Sequence, residues 1–214
     1  MSSSTLVQPR TLTEALLPRQ RSWAVDAALV VGFSALIALT AQIAIPLPFT
    51  PVPITGQTLG VLLTAAVLGP RLAALTMLLY LAEGLLGLPV FALGRNAWST
   101  SSVPGLPVII GPTAGYLLSY PLAALVVGAL AARGWDRRIS TAIPAMLAGN
   151  LVILLLGFAW LAAATWVIKG TLPIAALLSA SVYPFIPGDL IKIAIAALAL
   201  PGGWTLVRRA RGVR

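Results

Sequence analysis

The sequence predicts an all-α integral membrane protein of six transmembrane helices, with irregular outer loops after the first and third. Three observations carry that prediction. Hydrophobic residues make up 59% of the 214 and charged residues only 9%, with a mean hydropathy of +0.98; a soluble domain so composed would present one continuous apolar surface. The apolar residues fall into six runs cut by glycine, proline or arginine. The basic residues collect in alternate connections, as the positive-inside bias of membrane proteins demands.

Residues 1–22 are polar and carry Arg10, Arg19 and Arg21 without an apolar run of their own. They lack the central apolar stretch of a cleavable signal peptide and are expected to be a cytoplasmic tail, mobile at least to Gln8. The first span runs from Trp23 to Ile45. Pro46, Pro48, Pro51 and Pro53 then stop the helix, because proline lacks an N–H and disfavours helix in the residue before it. The second segment, Gln57 to Leu68, ends at Gly69-Pro70-Arg71, and the third covers Leu72 to Leu88. A long connection through Gly94, Asn96, Ser99 and Pro104 leads to a fourth segment, Pro112 to Ala132, and a fifth spans Ala142 to Ile168.

For the sixth, Pro184 and Pro187 would break a helix begun at Pro173. A short surface helix is therefore expected there, with the span starting at Pro187. Proline suits the first helical position, and Asp189 in the first turn is favoured by the helix dipole. Eleven of the 14 basic residues lie at the termini or in loops 2–3 and 4–5. Both termini should then be cytoplasmic, and the loops after segments one and three should face outside. The expected partition is a tail at 1–22, a six-helix substrate-binding domain at 23–207 and a basic cytoplasmic tail at 208–214.

The residue inventory excludes several chemistries. There is no cysteine and no histidine, so thiol nucleophiles, thiolate or HExxH metal sites and Ser-His catalysis are ruled out. No metal or cofactor is expected. No GxxxxGK[ST] motif occurs, so any ATP used is hydrolysed by another chain.

Ionisable residues at membrane depth cost roughly 2.5–3.5 kcal/mol on insertion scales and mark function by default. Asp189 and Lys192, three residues apart and on one helix face, are such a pair; the alternative is a self-neutralising structural link. Glu83, the other acid within a span, either pairs with an arginine or reaches the interface, and has no assigned role.

Four motifs occur in order: Pro51-Val52-Pro53-Ile54-Thr55-Gly56-Gln57-Thr58-Leu59-Gly60, Gly87-Leu88-Pro89-Val90-Phe91-Ala92, Gly111-Pro112-Thr113-Ala114-Gly115-Tyr116-Leu117 and Pro187-Gly188-Asp189-Leu190-Ile191-Lys192. Together they resemble the BioY family, the biotin-specific substrate-capture (S) subunits of energy-coupling-factor (ECF) transporters, over roughly residues 30–200. Residues 91–98 are less glycine-rich than that resemblance leads one to expect. The resemblance implies a six-helix fold with an outward-facing biotin site in a bacterial or archaeal plasma (inner) membrane. It also implies a transmembrane coupling subunit and two ATPase subunits as partners.

Biotin offers a ureido ring with two N–H donors and one C=O acceptor, an apolar thioether ring and a carboxylate. Asp189, acceptor-only, suits the ureido N–H groups, and Lys192, donor-only, suits the ureido oxygen. Asn96 serves either side. Arg95 either meets the carboxylate or is a solvated loop charge. Phe91, Trp98 and Tyr116 either wall an apolar slot or form an interfacial belt. Gln57 and Thr113 complete the candidate set. Gly111 and Gly115 either let backbone approach the ligand or open a helix with close packing.

Ala24, Ala28 and Gly32, four apart on the first segment, form a smooth stripe. It resembles the family's docking surface for the coupling subunit, or else packs internally. Two other readings compete for the function. A stand-alone, proton-coupled secondary transporter for a small vitamin-like solute would use Asp189 or Glu83, but no inverted repeat is evident. An intramembrane enzyme would pair Lys192 with Ser181 in a thin catalytic repertoire.

Overall fold

The computed structural model describes residues 10–17 and 21–210; the mobility expected up to Gln8, and the basic residues Arg19, Arg211 and Arg214, lie outside them. The first described element is a helix within the stretch expected to be a polar tail. α1, Leu12–Leu16, is capped by the Thr11 hydroxyl, which accepts from the Glu14 N–H at 3.3 Å. Thr11, Leu12, Thr13 and Ala15 are buried against the neighbouring helices. Thr13 Oγ1 donates to Val67 O at 3.1 Å, one of the carbonyls that the end of a helix leaves unpaired. A four-residue apolar-and-small face sufficed for docking because another helix end was there to receive it.

α2, Trp23–Gln42, packs on α3 (Gln57–Leu68) and α4 (Pro70–Leu85) yet buries only Ser34, Ile37 and Ala41. The connection between α2 and α3 is not wholly irregular. It closes on itself through a short antiparallel pair, β1 (Ala44–Ile45) with β2 (Ile54–Thr55), and Thr50 Oγ1 pins its tip to Ala180 O at 2.5 Å. α3 and α4 are separated by Gly69 alone, at φ +80°, a left-handed conformation that glycine adopts freely. Pro70 then starts α4 at the position proline favours.

α5, Ala114–Ala132, is the central helix, packed by α3, α4 and α6 and buried on most of its circumference. α6, Ile139–Lys169, α7, Ile174–Ser181, and α8, Ile186–Ala210, complete the order. The short helix ahead of a span starting at the Pro187 turn thus stands as the sequence predicts. At the other end of the bundle the α5–α6 turn carries Asp136, wholly buried, which accepts from Trp204 Nε1 of α8 at 2.6 Å. Burial pushes its carboxyl above the usual range, opposed by the Trp204 bond, a bond from its own backbone and the Arg137 charge. Arg137 lies over the Trp204 ring at 4.6 Å, a cation–π contact.

α2, α5, α6 and α8 are long and apolar enough to cross a membrane. α3 and α4, at 12 and 16 residues, reach only about 18 and 24 Å at 1.5 Å per residue, short of a hydrocarbon core about 30 Å thick. The fold is therefore a mostly helical multi-pass membrane protein, and its two shorter helices sit where the second and third segments were expected.

Candidate functional site

At the bundle end that carries the 43–56 and 86–113 connections, the helices part around a cavity. It encloses about 730 Å³ of empty space, its open mouth included. α3, α5, α6 and α8 supply its sides; Val52 and Pro53 of the first connection and Phe91, Arg95 and Val108 of the second cover it.

The floor is a polar chain that spans three helices. Asp189, 5% exposed, accepts through Oδ1 from Lys192 Nζ at 3.1 Å and through Oδ2 from Asn150 Nδ2 of α6 at 3.0 Å. Lys192 Nζ also donates to Thr58 Oγ1 of α3 at 2.9 Å. The local sequence explains the placement. Proline in the first turn of α8 and the Asp189 N–H bonding to Phe185 O at 2.8 Å start the helix so that residues 189 and 192 share its inner face. The ammonium has three donors, and one is left over. Each carboxylate oxygen keeps acceptor capacity after its single protein bond.

The walls are aromatic. The Tyr116 hydroxyl is spent on Ser181 O at 2.5 Å, and its ring meets Phe185 edge-on, centroids 5.8 Å apart. Phe91, 2% exposed, stands edge-on to Tyr80 at 5.4 Å, over Gly84, where any Cβ would strike the ring. Gln57 Nε2 donates to the Tyr80 hydroxyl at 2.5 Å, which donates to Val90 O at 2.9 Å. The Gln57 carbonyl oxygen is left without a protein donor among the described residues. Thr113 lines the mouth at the start of α5, its side chain unused as a cap.

Arg95 is half-buried in the lining and its guanidinium has no protein acceptor among the described residues. The Phe91–Arg95 turn that presents it has Leu93 at φ +64° and Gly94 at φ +66°. Gln42 of α2 clamps that turn, donating to Phe91 O at 3.2 Å and accepting from the Gly94 N–H at 2.9 Å. Asp189 and Lys192 cancel in charge, so the cavity carries one net positive charge at its mouth. It suits a ligand with a neutral, hydrogen-bonding head, an apolar middle and an anionic end.

Seven of the eight candidate residues line this cavity; Asn96 does not. Its Nδ2 donates to Gly87 O at 3.0 Å, and its Oδ1 accepts from the Trp98 and Ser99 N–H groups at 3.0 and 2.9 Å. Its side chain is consumed in building the turn, as Asn commonly is. Trp98 also stays outside, 62% exposed, with Nε1 on Leu85 O at 2.8 Å. Gly115 serves packing, since a Cβ there would strike the Trp160 side chain of α6. Glu83 pairs with neither an arginine nor the interface alone: Ser34 Oγ of α2 donates to its Oε2 at 2.6 Å.

The BioY family model matches residues 11–209, nearly the whole chain. The chain belongs to the BioY family. Its BioY relatives include the "Biotin transporter BioY" of Rhodobacter capsulatus, 41% identical over 78% of this chain and 86% of that protein. The "Probable biotin transporter BioY" of Pyrococcus horikoshii is 36% identical over 81% and 92%. The solved S-component for biotin from an ECF-type ABC transporter shares the fold, with a TM-score of 0.65 at 24% identity over 88% of this chain and 92% of that one.

Two floor residues of this BioY chain were missed by sequence reasoning. Asn150 had a visible signal, a carboxamide within the longest apolar segment, where polar side chains bond between helices. Thr58 had none, since a threonine near a helix start is ordinary.

Proposed function

We propose that this chain is the high-affinity substrate-binding membrane subunit of a biotin importer, capturing biotin from outside and delivering it with an ATP-driven coupling module. The observation that carries the reading is the division of labour in the cavity. Asp189 and Lys192 offer an acceptor and a donor side by side for the ureido ring, aromatic rings line the middle, and Arg95 waits at the mouth for the carboxylate. Family membership and relatives named as biotin transporters support the same substrate. Calorimetry on the detergent-purified chain tests it directly: biotin should bind tightly at one site, and a chain that bound none would refute the function.

The coupling partners are a transmembrane subunit and two ATPase subunits, with docking along Ala24, Ala28 and Gly32. All three residues are exposed, and a Cβ on Gly32 would meet nothing within 4 Å, which favours an external contact over internal packing. The chain itself binds biotin without hydrolysing ATP. Proteoliposomes holding it alone should bind biotin but not concentrate it; accumulation driven by a proton gradient would move the function to a secondary transporter. The partners found for both intramembrane acids argue against that alternative, since Glu83 and Asp189 are already engaged. The Ser181 hydroxyl is likewise spent on Leu177 O at 2.6 Å, which argues against the enzyme reading.

Residues 23–207 form the six-helix membrane domain of the proposed subunit, with both tails cytoplasmic in a bacterial or archaeal inner membrane. The basic residues of the α3–α4 and α5–α6 turns support that orientation. Cysteines placed at the exposed Ser102 and Ser140 should react with an impermeant reagent from opposite sides of the membrane. Reaction of both in intact cells would rule this topology out.

A further inference from the structure

Among the three buried tyrosines around the cavity, one has a hydroxyl with no task in the reading above. Tyr120 lies on α5 one turn beyond Tyr116 and on the same face. It is 2% exposed and its side chain lines the cavity. The hydroxyls of Tyr80 and Tyr116 are spent on backbone carbonyls. Among the described residues the Tyr120 hydroxyl has no hydrogen-bond partner, and Asp189, Tyr116 and Tyr80 are its ionisable neighbours. Buried hydroxyls are nearly always paired, so this one is built for something that enters.

We propose that the Tyr120 hydroxyl contacts the ligand's head group, donating to the ureido oxygen alongside Lys192, and that it thereby selects for a carbonyl at that position. The proposal rests on the biotin reading. A ureido oxygen has two lone pairs. Lys192 gives one N–H to Asp189 and one to Thr58, so a single N–H remains for the ligand. One lone pair is still to be satisfied. The Gln57 amide already gives one N–H to Tyr80 beside Phe91, and its free carbonyl oxygen accepts; ionised Asp189 only accepts. Thr113 sits at the start of α5, about two turns before Tyr120 and on the mouth side of the cavity. The second N–H of Asn150 and the Thr58 hydroxyl also remain donors near the floor, but both side chains are already tied to the Asp189–Lys192 pair, whereas the Tyr120 hydroxyl has no protein partner among the described residues. With two donors facing one point, a ligand presenting N–H there instead of C=O leaves both unpaired, the situation in which polar sites discriminate best.

The test compares biotin with 2-iminobiotin, a cyclic guanidine that is protonated at neutral pH and presents N–H in place of the ureido oxygen, by calorimetry at neutral pH on wild type and Tyr120→Phe. Phenylalanine keeps the ring and its packing, so the ligand-free variant should unfold at the wild-type temperature. A fall in that temperature would show the hydroxyl bonded within the protein and overturn the proposal. Biotin affinity should drop about tenfold, while 2-iminobiotin affinity stays within about twofold. An equal loss for both ligands would point to their shared thioether and overturn the assignment, as would no loss at all. A wild-type chain that bound no biotin would overturn the function and this role together. Normal wild-type binding with an indifferent variant would remove Tyr120 alone.

Discussion

Asp189→Asn should weaken biotin binding by about ten- to a hundredfold, the equivalent of losing one charge-assisted hydrogen bond of roughly 1.5–3 kcal/mol. The substitution keeps shape but turns half of an acceptor into a donor. The two oxygens of Asp189 face Lys192 Nζ and Asn150 Nδ2, both donors. With its NH₂ toward Lys192 the new amide sets donor against donor; with its NH₂ toward Asn150 the Asn150 amide must turn over to accept, and in either case Lys192 loses its counter-charge. Lys192→Met keeps the apolar stem and removes the donor to the ureido oxygen and to Thr58, so it should weaken biotin as well. Biotin methyl ester, which lacks only the charged carboxylate, should be as sensitive to both changes as biotin; a ligand without the ureido ring should be indifferent. If both variants instead gave less folded protein while the survivors bound biotin normally, the pair would be a structural pin and not part of the site.

Gly128→Leu should strongly destabilise the bundle. A Cβ at Gly128 would stand 2.5 Å from Pro70 N and 2.7 Å from Gly69 C and Pro70 Cα. Those are backbone atoms of the one-residue turn between α3 and α4, and no rotamer change moves them aside. Overpacking typically costs about 1–3 kcal/mol and more where neighbours cannot yield; at the upper end this lowers the unfolding midpoint by on the order of 10 °C. Gly32→Leu is the matched control, since nothing lies within 4 Å of its Cβ position. It should unfold and bind biotin like wild type while losing biotin accumulation with the coupling subunits. Thermal unfolding in detergent separates the two. A Gly128→Leu protein as stable as wild type would contradict the close approach of α5 to that turn, and a fully coupled Gly32→Leu would remove the docking stripe.

Most of the helix order was legible because proline and glycine punctuate it. Gly69-Pro70 ends one helix and starts the next, and the proline run at 46–53 stops α2. Pro184 and Pro187 separate α7 from α8. The Asp189–Lys192 pair was legible for a different reason: charge is costly in an apolar run, so it stands out in one dimension. α1 was not legible, because its short buried face gains stability only against the ends of α3 and α8. Nor was the pair of strands in the first connection, where backbone closes on backbone and side-chain identity says little.

The sequence by itself determined that the chain lives in a membrane, the order of its longer helices and the breaks between them, and which charged pair lies on one helix face. Each of these follows from local chemistry: transfer of side chains into lipid, the missing N–H of proline and the period of a helix. Only the tertiary structure decided what those groups meet. Asn96 and Tyr120 show the difference. Asn96 looked like a ligand group and spends its amide on the turn at Gly87 and Ser99; Tyr120, which nothing in the sequence singles out, keeps a hydroxyl without a partner among the described residues in the cavity. A side chain's hydrogen-bonding capacity is written in its chemistry, but whether that capacity is already used depends on partners brought from distant parts of the chain. Asn150, 39 residues from Asp189, and Thr58, 134 from Lys192, become parts of one floor only when α3, α6 and α8 pack.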